Sequence, residues 1–283
     1  MINVIHNTYE KNRHLRESAI LNINALISIK QPFNYIIFND HGDESIYDDV
    51  KDLLYESGLN GAGHTIQYVY SDINHGMGVC SGGWVGAIPF LKSYDKPYSY
   101  IHNIGQDDVY TPLFYTSMVH RLGNPDIYLA YANGFKAYPN LTLTGETLGP
   151  IQELDYWCYE DMFNQWFGVQ NGKVTRANNF IPAPGVMYKT TLHERIGLPD
   201  LATFKGSADF EYWARTLFSG NKISYDPRPL WLYRMSEYSL GSKPLAERET
   251  PNWNNLIKNR YQEWLTQSLL GEQVLSPRIL QKQ

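Results

Sequence analysis

The sequence lacks the features that mark secreted and membrane-spanning proteins. Its 283 residues include two cysteines, Cys80 and Cys158, which are too few for a disulfide framework or a cysteine-rich zinc site. No apolar run is long enough to cross a bilayer, so we expect no transmembrane helix. The first residues lack the basic segment and long apolar run of a signal peptide. We therefore expect a cytoplasmic protein.

An excess of positive charge is also missing. The net charge is −5, which disfavours the broad basic surface of a nucleic-acid-binding protein. No G-x-G-x-x-G sequence follows the first predicted strand, which disfavours a dinucleotide-dependent oxidoreductase. The chain is 43% hydrophobic, a fraction typical of globular proteins that excludes bulk disorder. Aromatic residues make up 14% of the chain, enough to serve both a core and a ring-stacking site.

The first half of the sequence alternates between strand and helix patterns. Short apolar runs predict strands at 2–5, 35–38, 64–70 and 98–102, and helical spacing predicts helices at 15–27, 46–54 and 79–91. Connections this short favour a parallel, doubly wound α/β sheet with helices on both faces. In such sheets ligands bind beyond the carboxyl ends of the strands.

The second half is less regular. We predict strands at 126–132, 185–188, 223–225 and 230–233, helices at 191–196 and 210–218, and an amphipathic C-terminal helix at 255–270. Residues 133–182 are rich in Gly, Asn, Pro and aromatic residues and give no clear prediction. The length fits one large α/β domain or two small ones.

Two adjacent carboxylates give the sharpest chemical signal. Asp107 and Asp108 follow an apolar strand, and Pro112 then stands at a favoured first position of a helix. Neighbouring Asp side chains repel each other unless a cation or hydrogen-bond donors neutralise them. Mg²⁺ and Mn²⁺ suit one or two carboxylates combined with phosphate oxygens. The alternative is an ordinary acidic helix start.

Three weaker signals accompany the carboxylate pair. Asp209 begins an aromatic-rich helix and is either a general base or a helix cap. Asp40 ends a strand and either accepts a hydrogen bond from a base or ribose or forms an Asx-turn. The glycine-rich segment after Asn74 would let the backbone approach a phosphate, although it matches no established phosphate loop.

Taken in order, these motifs resemble family 2 glycosyltransferases with the GT-A fold. The resemblance covers about residues 2–243 and lies in Thr8-Tyr9-Glu10-x-Asn12, Ile36 to Asp40, Asn74-x-Gly76, Gln106-Asp107-Asp108-x-Tyr110-x-Pro112, Gly185 to Tyr188, Ala208 to Arg215 and Pro229-Leu230-x-x-Tyr233-Arg234. It implies a Rossmann-like, mostly parallel sheet flanked by helices. It also implies one domain over residues 1–243, followed by a helical extension at 244–283. Residues 1–112 would bind a nucleotide sugar, and residues 113–243 would carry the acceptor side and the catalytic base.

The resemblance also implies a role for each matching residue. The family moves a sugar from a nucleotide-sugar donor, here favoured as a UDP-sugar, to an acceptor hydroxyl with inversion. Asp209 matches the catalytic base, and Trp213, Arg215 and Arg234 would shape the acceptor and sugar pocket. A Mn²⁺ or Mg²⁺ ion would bind Asp107, with Asp108 and Glu237 as further candidate ligands. The implied donor-nucleotide residues are Thr8, Tyr9, Glu10, Asp40, Asn74, Gly76, Gln106 and Asp107.

Four positions depart from the family pattern. Gly105 replaces the first Asp of the metal motif, and Ala208 replaces the Glu that usually precedes the base. Ser81 and Gly82 stand where the family commonly has Arg-Asn, and Ser236 and Glu237 stand where a His often completes the metal site. An inactive protein that binds a sugar or nucleotide on the same fold is therefore one alternative. A glycosyltransferase acting on modified nucleic acid is another, although the acidic charge disfavours it. The acceptor expected is a carbohydrate or glycoconjugate, with residues 133–182 as the candidate acceptor region.

Overall fold

The computed structural model describes residues 1–9, 12–54, 63–75, 81–96, 98–148, 181–204, 208–235 and 255–263, and the backbone of three two-residue strands between 156 and 174. The strands are β1 Ile2–Thr8, β2 Phe33–Asn39, β3 Thr65–Tyr70, β4 Tyr100–Ile104, β5 Val109–Tyr110, β6 Ile127–Ala137, β7 Leu143–Thr147, β8 Tyr156–Trp157, β9 Val169–Gln170, β10 Lys173–Val174, β11 Val186–Lys189 and β12 Lys222–Arg234. The helices are α1 Leu15–Ser28, α2 Ile46–Val50, α3 Ser81–Gly86, α4 Pro112–Leu122, α5 Leu192–Ile196, α6 Leu201–Phe204, α7 Ala208–Phe218 and α8 at 255–263.

The main sheet has the order β3-β2-β1-β4-β11-β6-β12-β5. Strands β1 to β4 are parallel, as the alternating pattern of the first half predicts, and β1, β2 and β4 are almost entirely buried because helices cover both faces. Strand β11 enters antiparallel between β4 and β6, and β12 pairs parallel with β6. The carboxyl ends of β1, β2, β4, β6 and β12 therefore lie along one edge of the sheet.

Helices on the two faces of the sheet form two hydrophobic cores. One core joins α1, α2 and α4 to the sheet, and the other joins α3, α5 and α7. The short connection at 219–221 makes α7 run back along β12, so the start of α7 lies toward the edge where β12 ends. Within the described residues, no helix combines the length and apolar character needed to cross a membrane.

The observed elements differ from the sequence prediction in several places, among them the helix predicted at 46–54, which is α2 followed by a 3₁₀ turn at Lys51–Leu53. Within the predicted helix at 79–91, residues 79–80 lie outside the described part of the chain, and α3 is followed by a 3₁₀ turn at Ile88–Phe90. The glycines of this segment and Pro89 disfavour one continuous helix. The two strands predicted at 223–225 and 230–233 are one strand, β12, with register shifts between Asp226 and Trp231. The C-terminal helix is present at 255–263, and residues 264–270 lie outside the described part of the chain.

A buried carboxylate holds the irregular centre of β12. Asp226 is 1% exposed and accepts hydrogen bonds from the backbone N–H, Nε and Nη2 of Arg228 at 3.0, 3.0 and 2.7 Å. Ser117 of α4 donates to the same carboxylate, and Arg121 lies 3.6 Å away. Burial alone would raise the pKa of Asp226, but the hydrogen bonds from Arg228 and Ser117 outweigh it and lower the pKa to about 2.

We expect Asp226→Asn to reduce the free energy of unfolding at pH 7 by about 1–2 kcal/mol, because the folded state favours the ionised carboxylate. A lowered folded-state pKa stabilises the fold above the unfolded value of 3.8, and this stabilisation is lost as the pH falls toward about 2. Urea unfolding at pH 7 and pH 3 measures the effect, which should shrink at pH 3. The control is Asp126→Asn, a 67% exposed carboxylate paired with Lys222. Equal stability of Asp226→Asn and the parent at pH 7 would contradict this account.

Candidate functional site

The loop between β4 and β5 carries the two adjacent carboxylates to the carboxyl edge of the sheet. Thr8, at the end of β1, donates through Oγ1 to Oε1 of Gln106 at 3.1 Å, so this loop and the end of β1 are in contact. Asp107 and Asp108 are 7% and 1% exposed, and both are therefore removed from bulk water. The loop thus places two carboxylates of the same charge in a largely buried position.

The electrostatics of this pair favour partial neutralisation. Burial raises the pKa of Asp108 well above its usual range, and the negative charge of Asp107 raises it further. Backbone hydrogen bonds from Gly105 and Arg234 and the charge of the Arg234 guanidinium act in the opposite direction. Oδ1 of Asp108 has no hydrogen-bond partner among the residues that the structure describes. Oδ1 of Asp108 is therefore available to a further hydrogen-bond donor or cation.

Arg234 brings a cation to the acidic loop from the end of β12. Its side chain is completely buried, donates to Glu17 Oε2 at 2.7 Å and contacts Nδ1 of His14. The sequence prediction assigns Arg234 to a sugar pocket, and the structure places it beside Asp108 at the same edge. Its charge therefore offsets part of the repulsion within the carboxylate pair.

A second polar cluster forms at the end of β2. Oδ1 of Asp40 accepts hydrogen bonds from the backbone N–H of His75 at 3.1 Å and from its ring Nδ1 at 2.7 Å. The backbone N–H of Asp40 donates to the carbonyl of Thr8 at 3.0 Å, which joins this cluster to β1. The sequence pattern assigns no role to His75, and its position directly after Asn74 was the available signal.

The chain passes very close to itself beside this cluster. The backbone N–H of Asp43 donates to the carbonyl of Tyr9 at 3.1 Å, and Gly42 lies against the same carbonyl. A Cβ atom at Gly42 would collide with the Tyr9 carbonyl, so only glycine allows this approach. The Tyr9 ring is 49% exposed at the rim of the site. Glu10, Gly76 and Glu237, three further predicted site residues, lie outside the described residues.

Asp209 lies in the first turn of α7 and is partly buried. Burial raises its pKa to about 6, although the backbone N–H groups of Asp209 and Phe210 favour the ionised form. A carboxylate with this pKa is mostly ionised at pH 7 and still basic enough to accept a proton. Because α7 is described from Ala208 onward, Asp209 lies inside the first turn and not at the cap position, and its pKa is compatible with the general-base interpretation.

Trp213 and Arg215 make contacts typical of core residues. Trp213 is 1% exposed, and its ring packs on Trp84 of α3 with centroids 5.2 Å apart. Arg215 is 4% exposed, pairs with Glu211 at 2.9 Å and donates to the carbonyl of Leu198 at 2.9 Å. These contacts do not support the prediction that both side chains shape a sugar pocket. Buried aromatic and charged residues give the same sequence pattern whether they face a core or a ligand.

The described residues contain no group of three or more His, Cys, Asp or Glu side chains that could hold a metal ion by themselves. The acidic loop supplies two carboxylates, and Oδ1 of Asp108 has no hydrogen-bond partner within the described part of the chain. Mg²⁺ and Mn²⁺ are commonly bound by one or two carboxylates together with the phosphates of a substrate. Asp107 and Asp108 fit an ion of this kind, with the remaining ligands supplied by a bound diphosphate.

The strand order and the polar edge define the GT-A fold of glycosyltransferases. S. aureus TarS residues 1–349 in complex with UDP-GlcNAc superposes with a TM-score of 0.57 and 14% sequence identity, covering 95% of this chain and 71% of that chain. The mannosyltransferase PcManGT from Pyrobaculum calidifontis, in complex with GDP-Man and Mn²⁺, has a TM-score of 0.54 and 11% identity, covering 84% of this chain and 58% of that chain. A structure of a longer S. aureus TarS chain superposes with a TM-score of 0.54 and 12% identity, and this chain covers 42% of that chain. No family model and no curated protein matches the sequence.

We expect Gly42→Ala to displace the segment around Tyr9 while leaving the sheet folded, because the added methyl group collides with the Tyr9 carbonyl. Hydrogen exchange should show faster exchange of the Asp43 amide, whose acceptor is that carbonyl. The control is Gly123→Ala at the end of α4, where φ is −63° and the nearest atom to the added Cβ lies at 3.1 Å. Unchanged exchange at Asp43 in Gly42→Ala would show that the close approach is not required.

Proposed function

We propose that this protein is a nucleotide-sugar-dependent glycosyltransferase of family 2. The observation that carries the proposal is the convergence of Thr8, Asp40, the Gln106–Asp108 loop and Arg234 at the carboxyl edge of a GT-A sheet. In doubly wound sheets this edge is where ligands bind. The structural neighbours in complex with UDP-GlcNAc, UDP and GDP-Man support a nucleotide-sugar donor.

The donor nucleotide would lie across the ends of β1, β2 and β4. Asp40 is fixed through Oδ1 by His75, and its carboxylate can accept a hydrogen bond from a base N–H or a ribose hydroxyl. Tyr9 offers an exposed ring at the same rim, and Thr8 and Gln106 lie between Asp40 and the carboxylate pair. We favour a UDP-sugar as the donor, with Glu10, Asn74 and Gly76 as further residues of the nucleotide site.

Asp107 and Asp108 would hold a Mn²⁺ or Mg²⁺ ion on the donor diphosphate, with Glu237 as a candidate third ligand. When bound, the ion would stabilise the negative charge of the departing nucleoside diphosphate. The PcManGT complex with GDP-Man and Mn²⁺ supports the use of a divalent ion on this fold. The role of this chain is to keep two carboxylates buried and close together at the sheet edge.

Asp209 would act as the general base. Its carboxylate would take the proton from an acceptor hydroxyl while that oxygen forms a bond to the anomeric carbon and the bond to the diphosphate oxygen breaks. Attack from the face opposite the leaving group inverts the anomeric configuration. The pKa of about 6 suits this task, because the base is ionised at neutral pH. The acceptor would be a hydroxyl of a carbohydrate or glycoconjugate.

A catalytically silent sugar- or nucleotide-binding protein is the second candidate. Gly105 stands where the family's metal motif begins with Asp, and the charge of Arg234 already offsets part of the charge of Asp108. Both features would weaken metal binding without removing the nucleotide site. Donor binding without turnover separates this candidate from the transferase.

We expect Asp107→Ala to abolish the Mn²⁺-dependent part of UDP binding, because it removes the ligand whose charge is needed to hold the ion. The fold should remain intact, since the change also relieves repulsion with Asp108. Calorimetry with UDP in Mn²⁺ and in EDTA measures the effect, with the exposed Asp95→Ala as control. A variant that binds UDP and Mn²⁺ as the parent does would show that Asp107 is not a ligand.

We expect Asp209→Asn to leave UDP binding nearly intact and to slow sugar transfer by about 10²- to 10⁴-fold, the usual contribution of a positioned general base. In the parent, the transfer rate should rise with pH through about 6, because only the ionised carboxylate accepts a proton. The pH profile of turnover with UDP-sugars measures both effects. Asp200→Asn is the control, since Asp200 accepts from the backbone N–H of Thr203 at 3.0 Å in α6. If the Asp209→Asn variant transfers sugar as fast as the parent does, Asp209 is not the general base.

A further inference from the structure

Helix α1 carries a line of buried polar side chains on the face toward the acidic loop. Ser18 and Asn22 are four residues apart, so they lie on the same side of the helix, and both are completely buried. His14, one further turn back, contacts Arg234. Buried polar groups in the middle of a helix are costly unless their hydrogen bonds are satisfied, so their partners define what they do.

Asn22 binds the backbone on either side of Val109, where the β4–β5 loop enters β5. Its amide nitrogen donates to the carbonyl of Asp108 at 3.0 Å, and its amide oxygen accepts from the backbone N–H of Tyr110 at 2.8 Å. The side chain therefore pairs with this segment as a neighbouring strand would. The amide is thus held in one orientation.

Ser18 binds the loop two residues earlier. Its hydroxyl lies 2.8 Å from the carbonyl of Gln106, compared with 2.9 and 3.0 Å for the carbonyls of His14 and Leu15 in its own helix. The loop is therefore fixed at residues 106, 108 and 110, on both sides of Asp107. Because Asp107 and Asp108 repel each other and are buried, a loop without these bonds would relax toward solvent.

We propose that Ser18 and Asn22 are positioning residues for the donor diphosphate and its divalent ion, an inference that rests on the proposed function. They touch neither the ion nor the donor. They act through the backbone of Gln106, Asp108 and Tyr110, which fixes the direction of the two carboxylates before the donor binds. Fixed ligands bind an ion more tightly because less conformational freedom is lost on binding.

The decisive variant is Ser18→Ala, since alanine is a good helix former and the change removes only a hydroxyl group. We expect the dissociation constant of UDP measured in Mn²⁺ to rise about 2- to 10-fold, as for the loss of one hydrogen bond, with the unfolding midpoint nearly unchanged. UDP binding in EDTA should change less. Ser28→Ala is the matched control, because Ser28 lies in the same helix and bonds only to the Ala25 carbonyl at 2.7 Å among the contacts described.

Asn22→Ala provides a second readout that does not depend on nucleotide binding. It should accelerate hydrogen exchange of the Tyr110 amide, whose acceptor is the Asn22 side chain, more than that of amides in β2. If the Ser18→Ala variant binds UDP in Mn²⁺ as tightly as the Ser28→Ala variant does, the positioning role is wrong and the proposed function still stands. A parent protein that binds no UDP with Mn²⁺ would overturn both. If the Tyr110 amide still exchanges slowly in a folded Asn22→Ala protein, the Asn22 side chain does not hold this loop in place.

Discussion

The repulsion between Asp107 and Asp108 is the constraint on which the rest of the site depends. Two neighbouring carboxylates at the end of a buried strand are unfavourable. Burial and the negative charge of Asp107 both raise the pKa of Asp108. The surrounding structure offsets this cost in two ways. Arg234 and backbone N–H groups supply positive charge, and Ser18 and Asn22 hold the backbone in place. The site is therefore built by elements that are distant from one another in sequence.

Strand β12 has a particular part in this arrangement. It is parallel to β6 over its whole length but shifts register near Asp226, where the Arg228 and Ser117 hydrogen bonds satisfy a buried carboxylate. Beyond that irregularity the strand continues to Arg234, which reaches α1 and the acidic loop. The register in the middle of β12 therefore sets the position of the Arg234 side chain at the end of the strand.

Two buried carboxylates illustrate how the surroundings assign different tasks. The pKa of Asp226 is lowered to about 2 because Arg228 and Ser117 bind it, and such a group is a permanent structural anion. The pKa of Asp209 is raised to about 6 because burial dominates and only backbone N–H groups oppose it. A group of the second kind can exchange protons near neutral pH, which is what a base requires.

The sequence by itself determined the strand and helix order of the first half, the carboxyl-edge positions of Asp40, Asp107 and Asp108, and the start of α7, because periodicity and turn chemistry are local properties. Tertiary structure alone decided the pairing of Asp40 with His75, the position of Arg234 beside Asp108 and the union of two predicted strands in β12. It also placed Trp213 and Arg215 among core contacts. Burial and charge pairing depend on which distant segments pack together, and no local pattern specifies that.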